Sequence, residues 1–332
     1  FESLEKDYWH LCHHVQVWDV SCERQIEIKG PDSQKLVQLM TPRDMTKAQD
    51  LQCFYAPLCD SDGGIVNDPI AIRFSESHWW LSIADSDIKL WARGLATGYG
   101  LDVTVTEADV WPLAIQGPKA EVLMSRVFGD EVESIRFFRG KILDFNGTPM
   151  LVTRSGWSKQ GGFEIYLNDA SLAEPLWDRL FTEGADLNVK AGCPNLIERI
   201  ESGLLSYGND MTSQNTPFDC GLDSYINLDA DIESLSLPAL REAQGKQKQQ
   251  LMGIILDQPV ELNDTLLYHD AHVIGEVTSD VFSPKFGKHL MMAMIDIEHY
   301  ENHPQIQVAG VQGCICTLPF DDNCFKVQKE NS

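Results

Sequence analysis

The chain has 332 residues, more than one ordinary core accommodates, so two or three domains are expected. Hydrophobic residues make up 43% and charged residues 23%, as in a soluble globular protein, and no apolar run approaches the roughly 18 residues that span a bilayer. Lys and Arg number 26 against 50 acids, and the net charge of −24 argues against nucleic-acid binding, which needs clustered basic side chains. The acidic balance suits solubility and, as a second reading, the attraction of a cationic substrate. Nine scattered cysteines form no CxxC pair and read as reduced thiols, so a cytoplasmic location is expected. FESLEKDYWH has no signal-peptide core, and the missing initiator Met implies a longer natural N-terminus.

In chain order, VQVWDVS and RQIEIKG alternate apolar and polar residues as strands, and PDSQKLVQLMT is predicted to be a helix opening with Pro31. QCFYAPLCDSDGGIVNDPIAIRF reads as two strands around an Asp- and Gly-rich turn. HWWLSIA is a strand, and DSDIKLWARGLATGYG a helix capped by Asp85 or Ser86. Strands LDVTVTEA and WPLAIQG precede the helix PKAEVLMSRVFG. A hairpin turning at Asn146-Gly147 then leads into MLVTRSGW and SGWSKQGGFEIYL. SLAEPLWDRLFTEG and PNLIERIESGLLSYG are amphipathic helices, the second ending at Gly208-Asn209-Asp210. From about residue 228 a polar, linker-like stretch with one short helix gives way to closely spaced short strands, the pattern of a small barrel or sandwich. The class is α+β, with domains expected over 1–227 and 228–332.

No phosphate-binding loop, dinucleotide fingerprint or esterase elbow is present. The chemistry-bearing residues lie instead at turns and strand ends. Glu164 and Tyr166 share one strand face about 7 Å apart, opposite an apolar stripe of Phe163, Ile165 and Leu167. A carboxylate there accepts two parallel hydrogen bonds, which suits a heterocycle edge with adjacent N–H donors such as the 2-amino-4-oxo edge of a pterin. An ordinary solvated strand face is the competing reading. Asp68, after the Gly63-Gly64 turn, is either a turn cap or a catalytic group. Arg199 lies on a helix, where an ion pair is the commoner role. Cys314 and Cys316 alternate along a strand with nothing nearby to complete a metal site.

The stretches VWDVS, IKGPDSQKLVQLMTPRD, GGIVNDP, IQGPKA, GGFEIY, ERIESGLLSYGNDMT and IGEVTSDVFSPKFGKHLMMAMI resemble, in this order over nearly the whole chain, the glycine-cleavage T-protein (aminomethyltransferase) family. The resemblance implies a three-domain cloverleaf around folate, with the first two domains interleaved in sequence and a C-terminal β-barrel. The chain departs from the T-protein pattern at Asn67-Asp68, at SGWSKQGGFE, and at Ile83-Ala84-Asp85-Ser86-Asp87. Those versions resemble the dimethylsulfoniopropionate demethylase branch, which implies methyl transfer from a sulfonium to N5 of tetrahydrofolate without a metal. By that resemblance Asp68 and Tyr166 are catalytic, Tyr55, Glu164, Tyr166 and Arg199 bind folate, and Trp157, Ser82 and Lys159 bind the donor. Partners are then the sulfonium, folate and, as an assembly, a homodimer, with no nucleic acid and no membrane. The alternatives are a folate-dependent transferase using an amine or an aryl methyl ether, and a non-enzymatic folate-binding protein. The last has the signature KGCYxGQE, and KAGCPNLIE here lacks its Tyr and its Gly-Gln-Glu.

Overall fold

The computed structural model describes residues 1–83, 87–262, 264–269, 272–302, 305–321 and 324. By contacts the chain forms two compact units, one of residues 1–59, 66–195 and 229–235, the other of 60–65, 196–228 and 236–332. This differs from the expected boundary at 227/228, and the reason lies in hydrogen bonds. Ser283 donates to Glu201, Arg199 donates to Ser279, and the Leu251 N–H donates to the Asp219 carbonyl at 2.7 Å. These bonds tie 196–228 to the strands that follow.

The first unit holds two large sheets. A six-stranded mixed sheet runs in the order 140–145, 148–153, 162–167, 111–116, 15–19 and 189–192, with only the last pair parallel. A five-stranded antiparallel sheet runs 52–55, 70–75, 78–83, 24–29 and 104–107. The chain lays down one strand of the first sheet, builds all of the second, and returns to finish the first. The two sheets are therefore interleaved along the sequence.

Period-2 alternation decides what each face meets. Phe163, Ile165 and Leu167 enter a core with Val15, Val17, Leu113, Ile115 and the helices Ala120–Phe128 and Ala173–Glu183. Residues on the opposite face, Leu151 and Tyr166, meet Cys53, Ile72 and Trp80 from the five-stranded sheet. Fully burying one such large side chain contributes roughly 1.5–3 kcal/mol, so the stripe of three commits the strand to this register.

Several element boundaries differ from expectation. The helix expected to open with Pro31 begins at Ser33, since Gly30 (φ +140°) and Pro31 belong to the preceding turn. The 52–74 region divides into Gln52–Tyr55, Leu58–Cys59, Ile65–Asn67 and Ile70–Ser75, because Pro57 and Pro69 lack the N–H a continuous ladder needs. The helix Ile88–Gly98 has Asp87 at its start without a side-chain cap, while the expected caps Asp85 and Ser86 lie outside the described residues. The Asn146-Gly147 turn forms as expected, with φ of +53° and +86°.

In the second unit the helix Leu196–Ser202 stops at Gly203 (φ +62°), well short of the expected Gly208–Asp210. A short helix, Leu237–Ala243, precedes a six-stranded antiparallel sheet ordered 266–269, 272–283, 288–296, 249–256, 311–316 and 305–308. Its edge strands approach one another, and register breaks near Val277/Ser279 and Leu267/Tyr268 bend it toward closure. The result is a nearly closed β-barrel around Ile254, Met291, Ala293 and Ile295.

Candidate active site

Register brings the polar residues of the two sheets to face one another. Tyr55 pairs with Ile70, and Ile70 with Ser82, so these three stand in one row across the five-stranded sheet. They share the face of Cys53, Ile72 and Trp80, two residues along each strand. On the facing sheet Glu164 pairs with Thr153 and Tyr166 with Leu151. The rings of Trp80 and Tyr166 lie 5.6 Å apart, and the Ser82 hydroxyl lies beside the Tyr166 phenol.

Glu164 is half-buried and has no cationic partner among the described residues. Its Oε2 accepts a short hydrogen bond from Ser155 Oγ and lies 3.5 Å from the Tyr166 phenol. Thr153, its cross-strand partner, lies beside it, and the Thr153 and Ser155 hydroxyls are 2.6 Å apart. Burial raises the Glu164 carboxyl above its ordinary range, and the hydroxyls of Ser155, Tyr166 and Thr153 offset only part of that. Burial also drives the Tyr166 phenol well up, reinforced by the neighbouring Glu164 charge, so Tyr166 stays a neutral donor. A desolvated carboxylate held only by hydroxyls favours a ligand that brings N–H donors.

Asp68 follows the strand Ile65–Asn67, and its half-buried carboxylate accepts from the Tyr55 hydroxyl at 2.8 Å. The Asp68 N–H donates to Asn67 Oδ1 at 2.8 Å, and the Ala56 N–H to the Pro69 carbonyl at 2.9 Å, which sets the backbone on both sides. Arg43 braces the Tyr55 carbonyl from behind. Asp68 is therefore part of a structured pair with Tyr55, beyond a turn cap.

Of the expected residues, Ser82, Glu164 and Tyr166 lie where the two sheets face one another, while Tyr55, in the same row as Ser82, holds Asp68. Trp157 and Lys159 are exposed on the loop that begins at Ser155. Arg199 is in the second unit, 5% exposed, where it donates to Asp210 at 2.5 Å, Ser279 at 2.6 Å and the Leu204 carbonyl at 3.2 Å. Its expected folate contact rests on the resemblance alone. Sequence reading missed Thr153 and Ser155, which become visible only once Thr153 is known to pair with Glu164.

Family models describe the chain almost throughout: the N-terminal domain of the glycine-cleavage T-protein over residues 1–230, and the T-protein C-terminal barrel domain over 249–322. The chain belongs to the glycine-cleavage T-protein family. It is 49% identical over 314 residues to the dimethylsulfoniopropionate demethylase DmdA of Ruegeria pomeroyi, covering 94% of this chain and 86% of that protein. An aminomethyltransferase of Alkaliphilus metalliredigens is 27% identical, over 93% of this chain and 85% of its own length. The fold is that of the glycine cleavage system aminomethyltransferase T from Bartonella henselae, with a TM-score of 0.84 at 23% identity over 96% and 90% of the two chains. For this T-protein family member the α+β class and the C-terminal barrel are as expected.

Proposed function

We propose that this T-protein family member is a demethylase that moves a methyl group from the sulfonium of dimethylsulfoniopropionate to N5 of tetrahydrofolate. The observation that carries this reading is the 49% identity over 94% of the chain to a dimethylsulfoniopropionate demethylase, against 27% to an aminomethyltransferase. The products are methylthiopropionate and 5-methyltetrahydrofolate. The nine unbridged cysteines support a reducing, cytoplasmic setting.

A sulfonium carries its own leaving group: the C–S electron pair returns to sulfur, giving a neutral thioether, while N5 of the acceptor forms the new C–N bond and then loses its proton. The protein's task is alignment more than acid–base chemistry, and alignment supplies several kcal/mol of the barrier. In this reading Glu164 takes the N–H edge of the pterin, where its uncompensated, desolvated carboxylate fits donors of that kind. Tyr166 and Ser82 lie side by side next to it. Asp68, held by Tyr55, stands near N5 and stabilises the positive charge that arrives there. Trp157 presents an aromatic face to the sulfonium, a contact worth roughly 0.5–2 kcal/mol, and Lys159 and Ser82 are assigned to the donor carboxylate.

The test is direct. Purified protein with tetrahydrofolate is offered dimethylsulfoniopropionate, dimethylglycine or an aryl methyl ether, and 5-methyltetrahydrofolate is measured by chromatography. Product from the sulfonium alone is expected. Turnover of the amine or the ether in its place reassigns the donor, and folate binding without transfer to or from any of the three makes the chain a non-enzymatic folate binder.

A further inference from the structure

Gln116 closes the strand Trp111–Gln116, pairing on one side with Gln16 and on the other with Gly162, and its side chain is fully buried. Its amide reaches across to the loop that carries Trp157. Nε2 donates to the Ser155 carbonyl at 3.2 Å, and Oε1 accepts from the Ser158 hydroxyl at 2.7 Å. One residue on, the Gly117 N–H donates to the Gly161 carbonyl at 2.9 Å. Trp157 is thus bracketed by two residues that share one buried amide.

The glycines of the loop fit this contact. At Gly156 (φ +146°) an added Cβ would lie 2.0 Å from Gln116 Nε2, and at Gly162 (φ +157°) it would lie 2.5 Å from the same atom. A side chain at either position would push the loop off the amide. The same segment carries Ser155, which donates to Glu164. The segment carries exposed Trp157 and Lys159, and ordering side chains of that kind costs entropy on each binding event.

We propose that Gln116 is a positioning residue, clamping the 155–162 segment from both sides of Trp157 so that the indole is preorganised for the methyl donor. The inference rests on the reading of Trp157 as a donor contact, and the experiment separates the two. The full chain is labelled with 5-fluorotryptophan, and the Trp157 fluorine line is assigned with Trp157→Phe. In Gln116→Ala that line is expected to broaden or split while the Trp79 and Trp91 lines stay put, and the donor KM is expected to rise about tenfold, with kcat less affected. Ser158→Ala removes one of the two side-chain bonds without opening the core and should act in the same direction but more weakly. The double variant should be no worse than Gln116→Ala, since both act on one contact.

An unmoved Trp157 line in a folded Gln116→Ala protein overturns the proposal, as does a donor KM that Trp157→Ala raises and Gln116→Ala leaves unchanged. Where that variant fails to fold, Ser158→Ala decides, and an unmoved Trp157 line there overturns it equally. A donor KM unaffected by Trp157→Ala overturns the donor reading of the indole instead, while a loosened Trp157 line in Gln116→Ala still supports the clamp.

Discussion

The two acids of the site hold different surroundings, and the difference sets their expected roles. Glu164 is desolvated and partnered by hydroxyls, whereas the Asp68 carboxylate accepts from the Tyr55 hydroxyl at 2.8 Å. Glu164→Ala should weaken tetrahydrofolate binding by about 2 kcal/mol, or roughly thirtyfold, the worth of a charge-assisted hydrogen bond. Asp68→Ala should leave that affinity largely intact and lower single-turnover methyl transfer about a hundredfold. Equal losses of affinity with turnover intact would refute this division. A pH dependence follows from the raised Glu164 carboxyl. The ionised form accepts the N–H edge, and burial makes protonation easier than for an ordinary Glu. Folate affinity should therefore fall as pH drops through that raised pKa, beginning at a higher pH than an exposed carboxylate would give. Isothermal titration across pH, repeated with Glu164→Gln, checks it: the dependence should vanish in the variant.

The strand Gly162–Leu167 does two jobs through its alternation: its odd residues build a core and its even residues build the site. Ile165→Ala should therefore cost 2–4 kcal/mol by leaving a cavity among fully buried neighbours, read as a loss of thermal stability in the first unit. The alternation was legible in GGFEIYL, and so was the Asn146-Gly147 hairpin that precedes it. The end of the helix after Arg199 was not, because Gly203 and Gly208 are both plausible stops. Only the bonding of Ser206, Asn209 and Asp210 into their own turn shows that the chain has already left the helix. The 52–74 stretch shows the same limit, since the two prolines that break it into shorter strands are visible while the points where pairing resumes are not.

At the scale of the molecule, 50 acids against 26 bases impose self-repulsion on the folded state. Raising NaCl from about 10 mM to about 150 mM shortens the Debye length from roughly 30 Å to 8 Å, so the melting temperature should rise. A melting temperature that is flat or falls with salt would show that local ion pairs outweigh the net charge. No helix among the described residues is long and apolar enough to cross a membrane.

Composition, periodicity and turn chemistry were enough to settle the α+β class, the small β-domain at the C-terminus, and the pairing of Glu164 with Tyr166 on one strand face, because each depends on residues close together in the chain. Tertiary structure alone decided that Ser82 would meet Tyr166 and that Ser155 and Thr153 would meet Glu164. It also decided that Tyr55 would hold Asp68, and that Arg199 would be taken up by Asp210 and Ser279. Those contacts depend on the register between strands and on two sheets laid face to face from interleaved segments. Neither is written in any local stretch, since a one-residue slip would turn every one of those side chains to the opposite face.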